Sequence, residues 1–230
     1  MSELGVVPGA VLPRAFFART ALAVAEQLLG CVLEHETAEG LVAVRLTEVE
    51  AYEGQADPAS HAYRGRSGRN AVMFGPPGRA YVYFTYGMHF CVNLVCLPEG
   101  TASAVLLRAG QVISGAGLAA QRRSRNGAGD KERDLARGPA RLCQALGITR
   151  TLDGADVCDP ASPLRVRSGG WGSPADAGLA AGAISRGPRV GISAAADRPW
   201  RFWLTGDPTV SVYRPHMPRR SRQKLVSAPE

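Results

Sequence analysis

The sequence predicts a mixed α+β fold in one domain, on three observations. Runs with the two-residue alternation of strands dominate the first half of the chain, helical periodicity stands at two places, and a late pair of short apolar runs returns to strand character. At 230 residues, one core spanning 1–230 is expected rather than two. Hydrophobic residues make up 45% of the chain, enough to close that core, and no apolar run is long enough for a membrane-spanning helix.

The elements follow in order. Residues 1–12 read as a loose start. RTALAVAEQLLG is a helix with apolar residues at 22, 24, 25, 28 and 29, and Gly30 serves as its left-handed stop. CVLEHE and LVAVRLTEVEAY pair as strands around Gly40. YVYFTY and MHFCVNLVC alternate about Tyr86 and Gly87, which predicts a hairpin, and SAVLLRA is a short apolar strand closed by Arg108. GPARLCQALG is a second helix, with proline in its first turn and glycine after its last. VGIS and RFWLTG form the late strand pair. Three stretches read as mobile surface: 122–133, 167–182 and the tail 217–230, the first and last as solvated basic faces.

Composition narrows the function classes. Twenty-seven basic against twenty acidic side chains give a net charge of +7, which favours a polyanionic partner, although many basic proteins bind no nucleic acid. The five cysteines, at 31, 91, 96, 143 and 158, form no CxxC pair and read as reduced structural thiols. The four histidines show no metal-ligand spacing, so neither metal nor cofactor is expected. The start of the chain lacks the pattern of a secretory signal, so an intracellular, cytoplasmic or nucleoid location and no membrane association are expected.

Several polar groups stand where strands should be apolar. In VAVRLTEVEAY, alternation puts Val42, Val44 and Leu46 on one side and carries Glu48 and Glu50 onto the same inward face. A carboxylate there is a candidate for acid–base work, unless the strand has ended by residue 48 and both acids are wet. EAYEGQADPASHAYRGRSGRN then joins Glu50, Tyr52 and His61 through a loop, followed by the phosphate-seeking Arg64, Arg66 and Arg69. A lone loop histidine is more often structural. Further on, Tyr81 and Tyr83 share one strand face, whereas Tyr86 shares the other with Val82 and Phe84 and could project at the hairpin tip. Ordinary cross-strand packing is the alternative. Asn93 and Arg108 must find partners if buried, and a salt bridge or backbone contact would account for either.

Read together, EVEAY, SHAYRG, GRN followed by MFG, YVYFTYGM, VNLV and VLLRA resemble, in order and spacing, the alkyladenine (3-methyladenine) DNA glycosylases of base-excision repair. The likeness runs from RAFF through RDLARGPARLCQALGI to RPWRFWLTGDP. It implies a curved antiparallel sheet with flanking helices and a protruding hairpin. It also implies a monomer acting on double-stranded DNA that contains damaged purines, with abasic-site repair enzymes following only in functional succession. Carried over by residue, the resemblance makes Glu50 the acid that activates water, with Arg108 beside it. Tyr52, His61 and Tyr83 would enclose the flipped base, Asn93 would sense the purine 2-position, and Tyr86 would be the minor-groove wedge. Met88, Arg66 and Arg69 join Tyr86 as expected DNA contacts. SGRN at 67–70 stands where many members carry TPRN, and His89 where some carry tyrosine.

This assignment makes chemical sense. An enzyme cutting a purine from its sugar cannot reach the bond inside a stacked duplex, so it must extrude the nucleotide and fill the gap. Two aromatic faces form a slot suited to electron-poor purines, and one carboxylate suffices when the leaving base is already cationic. No lysine nucleophile accompanies the motifs, so base release without strand cleavage is expected. Two rivals remain: a non-catalytic binder of damaged DNA, which would tolerate loss of Glu50, and a purine nucleoside hydrolase, whose affinity would depend little on salt.

Overall fold

A computed structural model describes residues 9–85, 87–124, 131–169 and 182–216. Among them the strands form one sheet: β1 (Val32–Thr37), β2 (Gly40–Tyr52), β3 (Ala80–Thr85), β4 (His89–Cys96), β5 (Ser103–Ser114), β6 (Leu164–Arg167), β7 (Ile184–Gly187) and β8 (Arg201–Leu204). Every strand pair is antiparallel, in the order β3-β4-β5-β2-β1-β6, with β8 on the far half of β2 and β7 outside it. The sheet curls into an open half-barrel, and helices flank it: α1 (Arg14–Phe17), α2 (Ala21–Leu28), α3 (Ala116–Ser124) and α4 (Pro139–Leu146). The fold is α+β, as the alternation and its two helical interruptions predict.

The helices cover one face of the sheet. Thr20 caps α2 by accepting the Ala23 amide, and Ala21, Val24, Ala25 and Leu28 turn into the core. Pro139 opens α4, Gly147 closes it in the left-handed conformation, and Leu142, Cys143, Ala145 and Leu146 are buried. Against them lie Val42, Val44 and Leu46 of β2, Val82 of β3, Val92 and Leu94 of β4, and Val105 and Leu107 of β5. The opposite face is overlaid by the loop segment between β2 and β3, with its own small cluster around Ala62, Met73, Phe74 and Tyr81.

Two compensating irregularities decide which residues face which way. The β2–β5 register shifts between Leu46 and Glu48, leaving Thr47 unmatched, and shifts again between Glu48 and Val49, leaving Arg108 unmatched. Parity therefore inverts. Beyond the first shift Val49 and Ala51 join the core, and Glu48 and Glu50 go to the opposite face. The expectation that both acids continue the face of Val42, Val44 and Leu46 is corrected: they are buried, at 0% exposure, but on the other side of the sheet. Gly110 sits opposite Leu46 at this point, and a Cβ there would fall 2.4 Å from the Arg45 carbonyl oxygen, a contact only glycine avoids.

Other expectations change as well. SAVLLRA is the first part of a 12-residue strand, so Arg108 lies inside β5 rather than at its end. VGIS is not a strand; the partner of RFWL is Ile184–Gly187. Of the loose start, Leu12 is in the core and donates its amide to Val166, and Val11 bridges Arg167. The basic run at 122–133 is not simply a solvated loop. Arg122 and Arg123 end α3 and are buried, and Arg122 donates to the Ala145 and Leu146 carbonyls and to Glu39. Likewise Arg167 ends β6, and Gly169 packs on the Gly30 carbonyl too closely for a side chain. The remainder of 167–182 and the tail 217–230 lie almost wholly outside the described residues.

Candidate active site

The face away from the helices holds a cavity of about 350 Å³. β2 contributes Glu50 and Tyr52, β3 Tyr81 and Tyr83, β4 Cys91 and Asn93, and β5 Leu106 and Arg108. His61 and Arg69 come from the overlying loop, and Val190, Gly191 and Ile192 close the far wall. Two-residue spacing explains the pairs within each strand. The register shifts explain why acid and guanidinium arrive on the same side.

Glu50 is the centre of this arrangement. Its Oε1 accepts the Val190 amide at 2.7 Å and lies 3.2 Å from an Arg108 nitrogen, while Oε2 accepts the Tyr52 hydroxyl at 2.8 Å. A carboxylate offers about four lone-pair sites, so these three contacts leave room for one further donor. Behind it Glu48 accepts from Arg108 and Arg201, both at 2.7 Å, and from the amide and hydroxyl of Ser211. Burial pushes the Glu48 carboxyl up, but Arg108, Arg201 and Ser211 outweigh it and leave it below its usual range. For Arg108 burial acts to lower the pKa, and the two carboxylates overcome this and raise it, so the guanidinium is fixed as a cation between them.

Aromatic groups line the walls. The Tyr81 and Tyr83 rings stack at 5.6 Å between centroids, and His61 meets Tyr83 edge-on at 4.5 Å. His61 Nδ1 and the Tyr81 hydroxyl share a hydrogen bond of 3.1 Å. The His61 residue is exposed at the mouth, yet its ring is packed among tyrosines; this desolvation, aided by Arg69, lowers its pKa and favours the neutral imidazole. Burial raises the Tyr52 hydroxyl, reinforced by Glu50, and likewise the Tyr83 hydroxyl, reinforced by Cys91. Both phenols stay protonated. Asn93, 6% exposed, donates to the Tyr81 carbonyl at 3.3 Å.

A second, basic cleft of about 640 Å³ adjoins the first and shares Arg108 and Val190 with it. Among the described residues Lys131, Arg133, Arg137, Arg141 and Arg214 line it against one acid, Asp134. Part of the charge in the 122–133 run is thus gathered beside the cavity rather than spread over a surface.

Six of the residues singled out in the sequence therefore meet in one cavity: Glu50, Tyr52, His61, Tyr83, Asn93 and Arg108, with Arg69 at its edge. Met88 and Arg66 do not line it; both are exposed, Met88 beside His89 and Phe90 in a separate cleft. Tyr86 lies outside the described residues. The sequence reading missed Val190, Asp57, Arg189 and the Glu48–Arg201–Ser211 network. Their contacts span more than a hundred positions along the chain, and no local pattern marks them.

A profile of the methylpurine-DNA glycosylase family matches residues 15–208. The chain belongs to that family. It is 57% identical over 215 residues to a Streptomyces avermitilis protein, covering 92% of this chain and 95% of the relative. A Frankia casuarinae protein is 54% identical over 209 residues, covering 90% and 94%. One from Mycobacterium tuberculosis is 50% identical over 198 residues, covering 84% and 89%. All three are provisionally named 3-methyladenine DNA glycosylases. Membership makes this chain a DNA glycosylase, a hydrolase acting on N-glycosyl bonds in DNA repair.

Proposed function

We propose that the protein extrudes alkylated or deaminated purines of the 3-methyladenine, hypoxanthine and ethenoadenine class from duplex DNA. It hydrolyses the N-glycosidic bond with a water activated by Glu50 and leaves an abasic site. The observation that carries this reading is the Glu50 carboxylate, fully buried at the floor of an aromatic cavity, fastened by three donors and with one lone-pair direction to spare.

The chemistry follows from that placement. The extruded purine enters between Tyr52 and Tyr83, with His61 at its edge and Asn93 facing its 2-position, where a guanine amino group would clash. As the C1′–N bond stretches, positive charge develops on the sugar. Glu50 opposes that charge and takes a proton from the water as its oxygen attacks C1′. Arg108 orients Glu50 without competing as a base, because its own proton is held by two carboxylates. A cationic alkylated purine leaves without further help, whereas neutral hypoxanthine must first take a proton on the ring from solvent. The adjoining basic cleft suits the sugar–phosphate backbone, and Tyr86 acts as the wedge that fills the vacated stack, with Met88 and Arg66 on the flanking DNA.

The test is single-turnover base release from duplexes carrying hypoxanthine or an alkylated purine, with heat and alkali revealing abasic sites. Wild type should release the base, and Glu50→Gln should be slower by at least about two orders of magnitude. Near-normal release by Glu50→Gln would refute the assignment.

A further inference from the structure

We propose that Arg189 is a positioning residue of this site, which holds Tyr52, the loop carrying His61 and the Val190 amide in the one arrangement that serves Glu50. The proposal rests on the reading of Glu50 as the base.

Arg189 is among the largest fully buried side chains in the molecule, at 1% exposure. Its guanidinium forms a two-pronged pair with Asp57, also fully buried, with Nη2 to Oδ1 at 2.8 Å, and Nη1 donates to the Ala51 carbonyl at 3.0 Å. Its guanidinium carbon lies over the Tyr52 ring, 4.5 Å from the centroid, and over Trp200 at 5.1 Å, and Arg198 lies over Trp200 in turn at 4.5 Å. Arg189 itself is not among the cavity-lining residues, whereas Tyr52 and Val190 are, so it backs the wall.

Three attachments converge on this one group. The guanidinium contact fixes the Tyr52 ring, whose hydroxyl donates to Glu50. Asp57 ties down the loop between Tyr52 and His61. Chain continuity sets the next residue, Val190, whose amide donates to Glu50 at 2.7 Å. Meanwhile Arg189 Nε is buried with no hydrogen-bond partner among the described residues. An ion pair buried at such desolvation cost is weak support for stability, and a planar, five-donor fork is the side chain that can stack and pair at once. Geometry, rather than stability, is the better account of it.

The experiment compares wild type, Arg189→Lys, Asp57→Asn, and the double variant Arg189→Met with Asp57→Asn, which removes both buried charges together. Each is measured for melting temperature, affinity for a hypoxanthine-containing duplex and single-turnover release, with Glu50→Gln as a parallel control. The double variant should melt near wild type and keep lesion affinity, yet release base more slowly by about one to two orders of magnitude. Arg189→Lys keeps the charge but not the planar fork, and should also lose rate at retained affinity. Asp57→Asn keeps the shape but leaves the buried Arg189 guanidinium without its carboxylate, so it should melt lowest of the set, and its folded fraction should show the same split of rate from affinity. Wild-type release per folded molecule in the folded variants, or affinity and rate falling together with the melting temperature, would overturn the proposal. A fully active Glu50→Gln would instead refute the reading of Glu50, whatever the Arg189 variants do.

Discussion

The two faces of the central sheet are built on opposite terms. On the helix side Val44, Leu46, Val92, Leu94 and Leu107 meet α2 and α4 in an apolar layer in which each buried methylene contributes to stability. On the cavity side the same strands present Glu48, Glu50, Tyr83, Asn93 and Arg108, and every buried polar atom there needs a partner. The first face could be exchanged for other well-packed hydrophobes at modest cost. The second is over-specified: two acids, two guanidiniums, a tyrosine, a serine hydroxyl and two backbone amides satisfy one another. What joins the faces is the pair of register shifts in β2 and β5, which turns an acid from the core toward the cavity.

Substitutions that hit one face at a time sharpen this contrast. Leu107→Ala on the helix side should lower stability by about 2–5 kcal/mol, seen in denaturant midpoints, while single-turnover release per folded molecule stays near wild type. A matching loss of rate in the folded fraction would mean that the faces are not separable. Gly110→Ala attacks the junction instead. The new Cβ collides with the Arg45 backbone, so it should destabilise by about 1–3 kcal/mol and also slow release by displacing Arg108; stability lost with release intact would detach the register shift from the site.

The smallest effect belongs to pH. His35 is buried with Nδ1 2.7 Å from the Leu146 carbonyl, and burial, joined by Arg122, leaves its pKa below the usual value despite that hydrogen bond. The folded state thus binds its proton less readily than the unfolded chain. The associated stability is complete above about pH 6.5 and is lost as pH falls through the folded value. The melting temperature should drop by on the order of a few degrees on acidification, and His35→Gln should reduce the drop. An equal drop in the variant would assign it elsewhere.

The sequence disclosed the apolar face and the tyrosine pair because period-two alternation survives within each strand: Tyr81 and Tyr83 face the cavity and Val82 the core. The capped helix at 139–146 was legible from Pro139 and Gly147. Glu50 was legible as a misplaced acid, but its face was not, since a register shift leaves no mark on one strand read alone. Arg122 looked like part of a charged loop because its partners, the end of α4 and Glu39, are distant in the chain. Arg189 and Asp57 were invisible for the same reason: each is ordinary where it stands, and only the fold makes them a pair.

The most direct test is to measure melting temperature and single-turnover base release on one preparation of Glu50→Gln beside wild type. Arg108 keeps its hydrogen bond to Glu48 in that variant, so its guanidinium is not left without a carboxylate. The account predicts a melting temperature close to wild type, retained lesion binding and base release slowed by at least about a hundredfold. Release at the wild-type rate, or a variant that loses activity only because it unfolds, would contradict the claim that the cavity face is arranged around Glu50 for chemistry rather than for stability.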